Sequence, residues 1–238
     1  MKLSVFSPVM AGLIFLPSLF AQTAPQPEAG PGTGQTPPPQ LYGRIVDDTY
    51  LSASGVFKVK IPVLPQLGGA ISDTPNVVTF DDDFSTHTSI AAFPLSRQLK
   101  WEYETRGTKE FLIYFFTSFV MPDFVARYPN STMEDEGAYL PKFQDGSMLI
   151  FSLLPGGSFF EQRMQLGSSP GPVIAKRGNL CFVKSNWVFV LSTELAERAL
   201  QRSTYNKTVA EENAILRQRL LDLVGQMQFI PPPAEGGN

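Results

Sequence analysis

The chain has 238 residues, 43% apolar and 17% charged, with Lys+Arg 19 against Asp+Glu 22 and a formal net charge of −3. That balance excludes a wholly disordered or fibrous chain, and it argues against nucleic acid or an anionic membrane surface as a partner. One cysteine, Cys181, excludes an intrachain disulfide and any multi-thiolate metal site, and one histidine, His87, excludes a multi-histidine zinc centre.

Met1-Lys2 opens the chain with a positive charge, and residues 9–16 form an apolar run broken by Pro17-Ser18 before Leu19-Phe20-Ala21. This is the pattern of a signal peptide over residues 1–21, cut after Ala21, and it predicts a periplasmic or secreted bacterial protein. A membrane span takes about 20 apolar residues; this run is shorter and is bounded by Pro8 and Pro17, so the mature chain is expected to have no integral span. Removing Lys2 leaves 18 basic residues against 22 acidic ones, a net charge of −4. Residues 22–40 hold six prolines and three glycines, a semi-rigid tether with nothing to bury. Residues 231–238 open on Pro231-Pro232-Pro233 and read as a disordered tail. Between them, 41–230 is predicted to be a single globular domain, long enough for a full core without disulfides or metals.

Val56, Phe57, Val59 and Ile61 alternate with Lys58 and Lys60, which predicts a half-buried strand ended by Pro62. Residues 77–80 and 88–93 form a hairpin around 81–87. Leu99, Trp101 and Tyr103 alternate with Lys100, Glu102 and Glu104, predicting another strand. Residues 109–121, with Phe111, Leu112, Ile113, Phe115, Phe116 and Phe119, predict a helix buried on most sides and interrupted at Pro122. Residues 148–154 read as a strand turning at Pro155-Gly156-Gly157, with Phe159 opening a return strand. Residues 180–183 and 187–191 around Lys184-Ser185-Asn186 are the clearest hairpin. Ser192 or Thr193 caps a short helix through Leu200, and Thr208 with Glu211 forms a capping box for a last helix. The apolar stripe of that helix is Leu216, Leu220, Leu223, Val224 and Met227. Strands in adjacent hairpins and few crossover helices predict an α+β fold, a mainly antiparallel sheet covered by helices in a layered α/β sandwich.

The order of Tyr50-Leu51-Ser52, Gly55-Val56-Phe57 and Ile61-Pro62, a hairpin, a mid-chain helix, Arg177-Gly178, a strand pair ending Leu191-Ser192, and a helix closing onto Phe229-Ile230 resembles the PsbP-like family. That family comprises photosystem extrinsic subunits and exported bacterial relatives, and the resemblance covers residues 48–230. It implies an antiparallel α/β sandwich that serves as a binding or assembly module rather than a catalyst. No family site residue maps onto a polar position here, and the Phe-rich helix departs from the family pattern.

Gly167-Ser168-Ser169-Pro170-Gly171 matches the spacing of a nucleophile elbow, but prolines stand where its helix should begin and the only histidine precedes the serine. Asp81-Asp82-Asp83 is the densest acidic run, and it lacks the spacing of a calcium loop. His87 beside Asp83 and a nearby serine is the only acid–base set from which an exported hydrolase could be built. Cys181 reads as a structural thiol. No catalytic residue, cofactor or metal is assigned. Candidate ligand-binding residues are the aromatics Phe115, Phe116, Phe119, Trp101 and Trp187, which would line a groove if the sheet does not cover them. The expected function is a non-enzymatic binding or assembly module of the cell envelope with a protein partner; the alternatives are the hydrolase and an apolar-ligand carrier.

Overall fold

The computed structural model describes residues 41–164, 173–201 and 204–231. The two terminal segments and the Gly-Ser-Ser-Pro-Gly motif of 167–171 therefore lie outside the described residues. Twelve strands form two sheets, and every pairing among the described residues is antiparallel. The smaller sheet has the order β1 (Arg44–Val46), β2 (Thr49–Leu51), β3 (Phe57–Lys60), β12 (Met227–Phe229). The larger runs β4 (Ala70–Asp73), β5 (Val77–Asp81), β6 (His87–Pro94), β11 (Trp187–Glu194), β10 (Ile174–Lys184), β9 (Ser147–Pro155), β7 (Thr132–Met133), and β8 (Ala138–Leu140) also pairs with β9. The α-helices among the described residues are α1 (Arg97–Arg106), α2 (Thr108–Phe115), α3 (Met121–Arg127), α4 (Phe159–Met164), α5 (Glu197–Leu200) and α6 (Val209–Gly225). The fold class is α+β, an antiparallel sandwich with helices on both faces of the large sheet.

The central strands are near-continuous apolar runs because both of their faces are covered. One set of alternate residues, including Ala91, Phe93, Ile150, Cys181, Val188 and Val190, packs under Phe111, Leu112, Phe115, Phe116, Val120 and Phe124 of the α2–α3 segment. The other set, including Phe80, Ile90, Phe151, Leu180, Phe182, Phe189 and Leu191, meets Leu216, Leu220, Leu223 and Val224 of α6 and Tyr50, Phe57 and Val59 of the small sheet. Each fully buried Val, Leu, Ile or Phe among them contributes about 1.5–3 kcal/mol of burial free energy. The β10–β11 hairpin turns on Ser185 and Asn186, both at positive φ (50° and 63°), the geometry a two-residue connection requires to match strand twist.

Between α2 and α3 the helix widens into a π turn over Phe116–Val120. Leu112, Phe116, Val120 and Phe124 are four residues apart and all buried; at 3.6 residues per turn they would drift around the axis, and the wider turn holds them over the sheet. Pro122 sits in the first turn of α3, where its missing N–H costs nothing.

Four local expectations are corrected. Residues 97–106 form a helix, not a strand. Ser96 accepts a hydrogen bond from the Leu99 backbone N–H, and Arg106 pairs with Glu102 one turn back at 2.6 Å. Leu99 and Tyr103, two members of the supposed alternation, are also four apart, so both fit one helical face toward α2, while Trp101 is left 60% exposed. Phe159 opens α4 instead of a return strand, with Ser158 Oγ accepting from the Glu161 N–H. Ser192 and Thr193 remain in β11, where Thr193 Oγ1 meets Thr88 Oγ1 across the ladder at 3.0 Å, and the short helix starts after Ala196. Finally, α6 ends at Gly225, so Met227 belongs to β12. The capping box of α6 is present in both directions, Thr208 to the Glu211 N–H and Glu211 to the Thr208 N–H.

Candidate functional site

His87 begins β6 directly opposite Asp81 at the end of β5, and its Nδ1 lies 3.1 Å from Asp81 Oδ1. Its ring stacks on Phe159 of α4, with centroids 4.4 Å apart and planes within 9°. Burial holds the imidazole below its ordinary value, opposed by the hydrogen bond to Asp81; Arg177 lowers it further, while Glu194 and Asp81 raise it. The carboxylate that engages His87 is thus Asp81, not Asp83. Strand register decides this, because residue 81 is the last ladder partner of residue 87 and Asp83 lies beyond it in the loop. Asp83 is placed against Gly68, whose φ of +71° and missing Cβ make room for that carboxylate. Asp82 is turned inward. Burial raises its pKa, but the backbone N–H groups of Phe84, Ser85 and Thr86 on its Oδ1 outweigh this and hold it below the ordinary range.

Ser158, which precedes Phe159, donates to Glu194 Oε1 at 2.7 Å, and Glu194 Oε2 accepts from the Phe159 N–H and lies 3.7 Å from Arg177. Among the described residues no serine hydroxyl hydrogen-bonds His87, so the acid–base set does not assemble around a nucleophile there. No group of three or more His, Cys, Asp or Glu among the described residues is arranged to hold a metal. Burial pushes the Cys181 thiol far up, which leaves it without thiolate character.

The five aromatic candidates do not converge. Phe115 and Phe116 are buried under the helices, and Phe119 is half-buried with its ring 5.1 Å from that of Phe115. Trp187 packs with the cluster on the opposite face of the large sheet, and Trp101 projects from α1 into solvent.

Two features had no signal in the sequence. Lys176 of β10 is fully buried, its Nζ 2.7 Å from Glu134 Oε2 and 3.1 Å from Glu212 Oε2, while Arg198 and Tyr205 both engage Glu212 Oε1. The second is a surface groove of about 390 Å³ between the segment following β8 and the outer side of α6, lined by Leu140, Pro141, Lys142, Phe143, Arg217 and Leu221. Leu221 follows Leu220 of the buried stripe, and Arg217 lies one turn before Leu221, so an apolar side chain and a cation share the groove wall. Neither Lys142 nor Arg217 makes an ion pair or hydrogen bond with another described residue. The apolar stripe of α6 leaves Arg217 on the outer side of the helix, but the sequence does not show what faces it.

No family model and no curated protein matches the chain. Among solved structures it is similar to cyanobacterial PsbP from Synechocystis sp. PCC 6803, at 10% identity and TM-score 0.47, over 83% of this chain and 99% of that one. It is also similar to the Ran-binding protein Mog1p of Saccharomyces cerevisiae, at 8% identity and TM-score 0.44, over 81% and 97% of the two chains. A third likeness, to a Bacteroides thetaiotaomicron protein, has 9% identity and TM-score 0.37 over 80% of this chain and 50% of that chain. These are similarities of form; the fold class rests on the strands and helices themselves.

Proposed function

We propose that the chain is an exported bacterial envelope protein that acts as a non-enzymatic binding or assembly module for a protein partner. The observation that carries this reading is the open apolar groove bordered by Lys142 and Arg217. Half-buried Leu140, Phe143 and Leu221, which pack against the core, combine with two unpaired cations to give the groove both apolar and charged contact points. The reading of residues 1–21 as a cleaved signal and 22–40 as a tether supports export and a module held at reach from whatever anchors it. No helix among the described residues is long and apolar enough to cross a membrane.

The test is crosslinking in the native host, purification of the tagged protein and native mass spectrometry. A stable, stoichiometric protein partner is the expected result, with the mature chain beginning at Gln22. A bare monomer both crosslinked and free would overturn the module, and a co-purified small apolar mass would replace it with a carrier.

A further inference from the structure

We propose that the groove between the segment after β8 and α6 docks an extended, acidic and apolar segment of a protein partner, an inference that rests on the module reading above. The floor is apolar, from Leu140, Pro141, Phe143 and Leu221, and the charged wall residues are both cations. On a chain whose net charge is −3, two cations without carboxylate partners flanking an apolar floor complement apolar side chains accompanied by Asp or Glu. Elsewhere Arg106 is paired with Glu102, Arg127 with Asp123, Arg198 with Glu212 and Arg219 with Glu197.

The wall opposite α6 is tied together by hydrogen bonds within the chain. The Phe143 N–H donates to Leu140 O, the Gly146 N–H and Ser147 Oγ both donate to Phe143 O, and Lys184 Nζ donates to Gln144 Oε1 at 2.8 Å. Gln144 and Asp145 turn the chain at positive φ, 51° and 60°. A preformed wall lowers the ordering cost of association. The groove is also open to solvent, whereas small-molecule sites enclose about 70–90% of their ligand. An open trough suits a row of side chains from a longer segment.

The probe is a random peptide library displayed on phage, selected on the full mature protein and on the K142E/R217E variant. Both side chains face solvent, so the variant should keep the wild-type melting temperature. Enrichment on wild type of sequences joining Leu, Ile or Phe with Asp or Glu, bound about tenfold more weakly by the variant and weakened again between 0.1 M and 1 M salt, supports the site. Enrichment of sequences without acidic residues, equal binding to both proteins, or no enrichment overturns it. Saturable binding of laurate at the groove in place of any peptide overturns it in favour of an amphiphile site. If the host partner is recovered equally by wild type and K142E/R217E, the module stands and the groove does not.

Discussion

Lys176 and Arg177 are neighbours on β10, yet they anchor opposite faces of the large sheet in different ways. Lys176 points toward α6 and is fully buried between the carboxylates of Glu134 and Glu212, with Arg198 and Tyr205 closing the network. Arg177 points the other way, its guanidinium over the Phe124 ring at 5.7 Å and near Glu194, whose oxygens are held chiefly by Ser158 Oγ and the Phe159 N–H. His87 stacks on the Phe159 ring, and burial holds its pKa below the ordinary value. One face is therefore fastened to its helix by full charges matched against each other. The other is fastened by a carboxylate shared between two neutral donors and Arg177, and by an imidazole that resists protonation. A buried charge needs a partner wherever it lies, but only the second arrangement contains an imidazole, whose pKa burial holds below its ordinary value.

The contrast is broken most severely by removing one charge from the α6 side. Glu212→Ala strands the fully buried Lys176 with a single carboxylate and frees Arg198 and Tyr205, and should cost about 3–5 kcal/mol, read from denaturant unfolding. A loss below about 1 kcal/mol, the value of a surface pair, would mean that the network is not a strut. A smaller effect tests how closely α6 lies on the sheet. A Cβ added at Gly178 would stand 2.9 Å from Leu216 Cβ and 3.1 Å from Leu220 Cδ1, so Gly178→Ala should cost about 1–3 kcal/mol. An unchanged midpoint would show that the helix yields without loss.

The smallest effect sharpens the other face. Because the folded imidazole has a lowered pKa, the unfolded chain binds the extra proton first as pH falls. Stability from His87 is complete above its ordinary value of 6.5 and is lost as pH drops below it toward the folded value, by at most about 1.4 kcal/mol per pH unit. Carboxylates also titrate in acid, so the readout is the wild-type pH slope minus that of His87→Gln between pH 7.5 and 5.5. Identical slopes would remove the imidazole from the account.

Much of the fold was legible locally. The β10–β11 hairpin is announced by Lys184-Ser185-Asn186 between apolar runs, and α6 by Thr208 and Glu211. In both, residues within four positions of each other decide the backbone. Residues 97–106 were misread because Leu99, Trp101 and Tyr103 satisfy a period of two, while Leu99 and Tyr103 equally satisfy a helical spacing; the Ser96 cap and the Glu102–Arg106 pair were the overlooked signals. The Ser158 and Glu161 spacing at α4 carried a similar hint. The site was far less visible. The aromatics singled out from the sequence divide between two faces and the surface, and nothing in the order of residues places Leu140 and Phe143 beside Leu221.

The sequence alone determined the α+β class, the antiparallel hairpins, the capping of α6 and the absence of a disulfide. Each follows from turn chemistry, period or composition, which act over a few residues. Only the tertiary structure decided that His87 meets Asp81 rather than Asp83, that Lys176 is buried against Glu212 36 positions away, and that Lys142 and Arg217 flank one groove. Those outcomes depend on strand register and on which helix covers which face, and a local pattern carries neither.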